Sequence, residues 1–204
     1  MDEREAVRRL KEGDAGGLES LVERFYDRAA RVAYLVVRDP ALAEDVAQGS
    51  FVRAYDKIDH FDPARPFGPW FMRLVVNDAV EAARRRERRR TIPLTPGGAE
   101  DLIAHLEDTG RGPQELAEEA EDRRRVWAAL EKLPPAQRAA IVQRYYLDMS
   151  EAEMSESDSS PPGTIKWRLH AARKRLSKLL RPEKTTARAA ESPAALAEGG
   201  NNRD

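Results

Sequence analysis

The 204-residue sequence contains no cysteine. Disulfides and thiolate metal sites are thereby excluded, in keeping with a reducing compartment. Histidine is scarce: His60, His105 and His170 stand far apart, without a metal-ligand spacing such as H-x-x-x-H. No nucleophile motif and no phosphate-cradling glycine loop occurs. An enzyme is therefore not expected, and neither a catalytic residue, a metal nor a cofactor is assigned. The longest apolar run falls far short of the ~20 residues that span a bilayer. The opening Met1-Asp2-Glu3-Arg4-Glu5 is charged where a secretory signal would be apolar. A cytoplasmic protein without membrane insertion is the expectation.

Aromatic residues make up only 6% of the chain and charged residues 35%, a balance that favours surface-rich helices over a sheet. The length suits one ordinary domain or two small ones. A formal net charge of −1 suggests no nucleic-acid partner, but the charge is segregated. Residues 1–90 hold 18 basic against 17 acidic residues, and residues 91–122 hold 1 against 9. Residues 123–181 then hold 13 against 6, and residues 182–204 hold 3 against 4. Such asymmetry points to separate modules with different partners.

Apolar residues from Ala15 to about Val37 recur at three- and four-residue steps, the mark of an amphipathic helix. Asp39-Pro40 ends that helix and starts a second, whose face carries Ala43, Val46, Ala47, Ser50, Phe51, Ala54, Tyr55 and Ile58. Three prolines and a glycine make Asp59–Pro69 a loop. A third helix holds Trp70, Phe71, Leu74 and Val75 and runs into the arginines of 84–90. Three helices with short connections predict a compact bundle. Residues 91–115 read as an acidic linker, with a short helix around Glu100 to Leu106.

A second helical module begins near Gln114. Val126, Ala129, Leu130 and Leu133 stripe its first helix, and Pro134-Pro135 open the next, which carries Ile141, Val142, Tyr145 and Tyr146. Ser150 and Glu153 have capping-box spacing. Pro161-Pro162-Gly163-Thr164 reads as a turn before a long helix with Ile165, Leu169, Ala172, Leu176 and Leu179 on one face. Seven basic residues and no acid fill the rest of residues 165–181. The tail from Pro182 has a disorder-prone composition.

Short helix, tight turn and basic helix over residues 150–181 have the layout of a helix-turn-helix, whose second helix enters the major groove. Thr164 and the free N–H groups at that helix start suit a phosphate. Lys166 and Arg168 offer donors to guanine or phosphate, and later cations neutralise backbone charge. Trp70, Arg73, Asn77 and the arginine run form a second constellation beside the Asp59–Pro69 loop. Rings interleaved with cations suit an unpaired strand, whose bases stack while its backbone follows positive charge. Bundle core is the competing reading of Trp70 and Phe71.

Four blocks of the sequence resemble those of extracytoplasmic-function sigma factors of bacterial RNA polymerase. Residues 41–55, ALAEDVAQGSFVRAY, resemble the polymerase-binding helix, and residues 67–77, FGPWFMRLVVN, the promoter-melting helix. Residues 130–138, LEKLPPAQR, and 162–173, PGTIKWRLHAAR, resemble the two ends of the second DNA-binding region. The resemblance implies an all-α, non-enzymatic protein that binds core polymerase, recognises −10 and −35 promoter elements and promotes melting. The implied organisation is region 2 over residues 1–90, a flexible acidic linker over 91–114, region 4 over 115–181 and a disordered tail over 182–204. Asp45, Gln48, Phe51 and Arg53 would meet the polymerase, whose β and β′ subunits are the implied partners. His60, Phe61, Trp70, Arg73, Asn77, Arg84 and Arg85 would bind the −10 element, partly as single strand. Thr164, Lys166, Trp167, Arg168, His170 and Arg173 would bind the duplex −35 element. An anti-sigma factor is a further implied partner. The alternative is a stand-alone helix-turn-helix regulator that binds duplex DNA by itself.

Three positions depart from the family pattern. Gly49 stands where an acid is usual and Ala171 where an arginine is common. Ser157-Asp158-Ser159-Ser160 replaces two apolar residues followed by a glycine. An unpartnered Asp158 at a core-facing position would cost a few kcal/mol, and a non-glycine in the left-handed region ~1 kcal/mol. A helix-turn-helix intact in outline but weakly packed at its turn is expected.

Overall fold

A computed structural model describes residues 1–89, 121 and 124–181, and every regular element among them is helical. The expected linker over 91–114, with its short helix, and the tail over 182–204 lie outside the described residues, as do Arg90 and the start of the second module near Gln114.

Aspartates start the first three helices of the first group. Asp2 accepts from the Glu5 N–H at 2.8 Å and opens α1, Glu3–Lys11. This helix is additional to the three expected, and its Ala6, Val7 and Leu10 are buried. Asp14 accepts from the Gly16 N–H at 2.8 Å and opens α2, Ala15–Val37. At Gly17 a Cβ would stand 2.5 Å from the Ala6 carbonyl oxygen and 2.6 Å from the Leu10 nitrogen. Only glycine lets α1 and α2 close to this distance. Asp39 then caps α3, Pro40–Lys57, through the Leu42 N–H at 2.9 Å. A 3-10 turn, Ile58–His60, leads to α4, Phe67–Arg89. The loop is thus shorter than expected: Gly68 and Pro69 belong to the first turn of α4, where a missing N–H costs nothing.

These four helices enclose one core. Phe51 packs tilted against Phe71 with centroids 4.3 Å apart, Phe67 stacks on Phe71 at 5.5 Å, and Phe61 meets Phe67 edge-on at 5.8 Å. Leu21, Val32, Val36, Val75 and Val76 fill the space between. Each such side chain contributes about 1.5–3 kcal/mol by leaving water.

The second group comprises a helix whose described part is 124–131 (α5), then α6, Pro135–Tyr145, α7, Glu151–Ser157, and α8, Pro162–Leu179. The capping box at α7 forms in full. Ser150 Oγ accepts from the Glu153 N–H at 3.2 Å, and the Glu153 carboxylate accepts from the Ser150 N–H at 2.8 Å. Ile165 and Leu169 of α8 pack on Met149 and Met154, and Ala172 on Leu130 and Leu133. Three details differ from expectation. Val126, Tyr145 and Tyr146 face solvent, because α6 ends at Tyr145 and the apolar side of α5 is Ala129, Leu130 and Leu133. Pro162, Gly163 and Thr164 form the first turn of α8 rather than a separate turn. The chain reverses instead over residues 158–161, with Ser159 in the left-handed region at φ 47°.

The two groups pack on each other. Arg138 of α6, only 6% exposed, donates to the carbonyls of Leu130, Glu131 and Leu133 and also to that of Val36 in α2. Burial pushes its guanidinium pKa down to about 10, which leaves it charged at neutral pH. Arg38 ends α2 in the left-handed region, and its guanidinium lies 4.8 Å from the ring centroids of both Tyr34 and Trp127. Ala139 and Val142 join the core of the first group.

Candidate promoter- and polymerase-binding surfaces

Trp70, Arg73 and Asn77 recur at three- and four-residue steps and share one face of α4. Trp70 is half-buried, 4.8 Å from Phe61 and 5.4 Å from Phe67 between ring centroids. Phe61 itself is 4% exposed and wedged into the core, so it supports Trp70 and is not free to meet a base. The expectation that Phe61 contacts −10 DNA is corrected accordingly. His60 is exposed, as are Arg84 and Arg85 further along α4, with Arg85 3.2 Å from Glu81.

Arg73 and Asn77 already have partners within the chain. Arg73 Nη2 lies 3.2 Å from Glu153, and Nη1 3.8 Å from Glu156, both on α7. Asn77 Nδ2 donates to the Ser157 carbonyl at 3.0 Å. The Glu153 carboxyl is held below its ordinary range, first by the Ser150 backbone N–H, then by the Ser150 hydroxyl, and to a lesser degree by Arg73. The face of α4 with Arg73 and Asn77 and the first helix of the helix-turn-helix therefore cover each other.

Along α3, Asp45 and Gln48 point to solvent. Phe51 does not: at 4% exposure it packs against Phe71, which corrects its expected contact with the polymerase. It fell in the apolar stripe of α3 from the start. Arg53 is half-exposed and pairs at 2.6 Å with Asp78, whose carboxylate also accepts from Ser50 Oγ at 2.8 Å. Burial pushes the Asp78 carboxyl up, while Ser50 and Arg53 pull it back. Val52, not singled out from sequence, and Tyr55, expected on the apolar face of α3 and found exposed, complete the outer face. Val52 is 63% and Tyr55 45% exposed, in helical register with Asp45 and Gln48. The signal was available, because 45, 48, 52 and 55 repeat the three- and four-residue step on the side away from Ala43, Ala47 and Ala54.

On α8, Lys166, Trp167, His170 and Arg173 are exposed, opposite the buried Ile165, Leu169 and Ala172. Trp167, at 63% exposure, is the largest uncovered ring in the second group. Thr164 is half-buried in the first turn. Arg168 lies on the flank, with its Nη1 2.8 Å from Asp158. Gln143, fully buried in α6, donates to the other Asp158 oxygen at 2.7 Å. Asp158 therefore has two partners, and the expected weak packing at the turn is corrected. The cost foreseen for an unpartnered carboxylate does not arise. The left-handed residue foreseen beside it is present in Ser159.

Among the described residues no group of His, Asp and Glu could hold a metal ion, and no helix is long and apolar enough to cross a membrane. Residues 21–89 match the family model for Sigma-70 region 2, and residues 123–176 that for Sigma-70 region 4. The chain is 29% identical over 177 residues to the ECF RNA polymerase sigma factor SigW of Bacillus subtilis, covering 86% of this chain and 95% of that one. The fold is similar to that of CnrH in complex with the cytosolic domain of CnrY, with a TM-score of 0.57 and 25% identity over 87% of this chain and 96% of that one. It is also similar to the sigma factor RpoE of Bartonella quintana, solved with the anti-sigma factor NepR (TM-score 0.55, 20% identity, 81% of this chain and 98% of that one). With both regions matched in order along one chain, this protein is a member of the extracytoplasmic-function sigma factors of RNA polymerase, non-enzymatic proteins that recognise promoters through regions 2 and 4.

Proposed function

We propose the following division of labour within that activity. The outer face of α3, with Asp45, Gln48 and Arg53, docks on core polymerase, and Val52 and Tyr55 add apolar area to it. The face of α4 with Trp70, Arg73 and Asn77, flanked by His60, Arg84 and Arg85, unpairs and holds the −10 element. Thr164, Lys166, Trp167, His170 and Arg173 of α8 bind the −35 duplex. The proposed boundaries are 1–90 for region 2, 91–114 for the linker, 115–181 for region 4 and 182–204 for the tail, in a protein that works in the cytoplasm.

The observation that carries this reading is the hold of α7 on Arg73 and Asn77. A strand and α7 cannot occupy the same donors at once. The two groups must part when holoenzyme forms, so the free chain binds promoter DNA poorly and core polymerase makes it competent. A protein that keeps the groups from engaging polymerase would act as an anti-sigma factor, and we place such a protein among the partners. RpoE of Bartonella quintana, whose fold is similar, was solved with one.

Arg173 supplies the test for α8. Arg173 is exposed, with its Nε donating to the Leu169 carbonyl at 3.3 Å; with its charge neutralising one phosphate, as proposed, Arg173→Ala in the holoenzyme weakens −35 binding and flattens the plot of log K against log salt by about 0.9. Filter binding to a −35 duplex across a salt series measures both. An unchanged slope would remove Arg173 from the phosphate contacts.

A further inference from the structure

Seven cations line α8 and its end; Arg173 Nε donates to the Leu169 carbonyl at 3.3 Å, and Arg168 is held by the carboxylate of Asp158 inside the module. We infer that Asp158 is a positioning residue that withholds Arg168 from promoter DNA, so that −35 binding proceeds with one cation fewer than the recognition helix carries. The inference rests on the reading of α8 as the −35 helix.

Three observations support it. First, the pair is well made: Arg168 Nη1 lies 2.8 Å from Asp158 Oδ2, with side chains 18% and 15% exposed, and Nη2 reaches Ser160 Oγ at 3.4 Å. Partial burial sets this pair apart from a solvent-screened surface pair, because removing one partner strands the other. Second, Asp158 cannot follow Arg168 outward. Gln143 Nε2 holds its Oδ1 at 2.7 Å from a fully buried position in α6. The turn is closed besides by Ser155 Oγ donating to the Ser160 carbonyl at 2.6 Å. Third, helix geometry puts Arg168 on the flank of α8, in line with Arg175 seven residues on and apart from Lys166 and Lys174. It sits beside the buried Ile165, Leu169 and Ala172, whereas Lys166, Trp167, His170 and Lys174 share the opposite face. The cleft it borders also holds Glu81 and Arg84 of α4, one charge of each sign. A phosphate that drew Arg168 away would leave Asp158 charged on Gln143 alone, beside an incoming anion. Asp158 is also where the family pattern is apolar, so the restraint is built into this chain's own turn.

The test uses the full chain in holoenzyme, bound to a −35 duplex across a salt series. Asp158→Asn keeps the shape and an acceptor for Gln143 but removes the charge that holds Arg168. The expected result is roughly tenfold tighter binding at low salt, one charge-assisted contact's worth, and a salt slope steeper by about 0.9. Asp158→Asn combined with Arg168→Ala loses both gains. Asp158→Ser, which removes the carboxylate without adding bulk, gives the same readout should the asparagine variant not fold by circular dichroism. Unchanged affinity and slope in a folded variant overturn the inference, as does a gain that survives Arg168→Ala. Arg173→Ala runs alongside. If it too leaves the slope unchanged, the reading of α8 itself fails. If it flattens the slope while Asp158→Asn does nothing, only the role of Asp158 fails.

Discussion

Trp70→Ala and Asn77→Ala each lower open-complex formation by holoenzyme about tenfold or more, while binding to an isolated −35 duplex stays within about twofold. The size follows from stacking, since loss of one ring under one base costs about 1–3 kcal/mol. Trp70 is suited to this because it is held without being hidden. Phe61 and Phe67 buttress the ring at 4.8 and 5.4 Å between centroids, and the side chain stays half-exposed. Asn77 presents an amide that can donate to and accept from a base edge, and in the closed protein its Nδ2 donates to the Ser157 carbonyl. Permanganate reactivity of unpaired thymines, read beside −35 filter binding, separates the two effects. Equal loss of both would assign α4 a structural role instead.

Arg138→Met destabilises the second group by about 3 kcal/mol or more, because a methionine of similar length removes a donor from four carbonyls, of which, among the described residues, only that of Leu130 keeps a backbone donor, the Leu133 N–H. Leu130, Glu131 and Leu133 would lose partners within the group, and Val36 of α2 would lose one across the interface. Buried acceptors left unpaired cost about 1–3 kcal/mol each where water cannot reach them, and in a chain of this size that total lowers the melting temperature by about 10 °C. Arg138→Lys does not rescue fully, since a compact ammonium cannot span the fork that the guanidinium makes. Thermal melting followed by circular dichroism reads the loss. A change under about 1 kcal/mol would mean that the carbonyls find other donors and that Arg138 does not organise the groups' packing.

How legible each feature was depended on whether its signal was local. The starts of α2 and α3 follow from aspartate caps and Asp39-Pro40, which sit next to the residues they organise, whereas the first N–H of α4 at Phe67 donates to the distant Glu3. The signal for α1, Asp2 followed by the spacing of Ala6, Val7 and Leu10, is masked by the charged residues around it, which read as solvent-facing. Phe51 and Phe61 were assigned to partners through family resemblance, yet both fill the aromatic core. Periodicity was the better guide for Phe51. What no local pattern could disclose were contacts across 80 residues of sequence. The ion pair of Arg73 with Glu153 and the hydrogen bond of Asn77 to Ser157 join helices whose sequences carry no mark of each other. Asp158 is an intermediate case. Its departure from an apolar pattern was plain, but its relief by Gln143 and Arg168 depends on how α6 and α8 meet.

Transcription in vitro with core polymerase and a promoter library randomised at the −35 and −10 positions tests the assignment of promoter recognition to this chain most directly. Transcripts arising only when the chain is added, from templates enriched for two short motifs at a fixed spacing, are the expected result. Tight, sequence-specific duplex binding by the chain alone, with no transcription from any template when core polymerase is present, would contradict it.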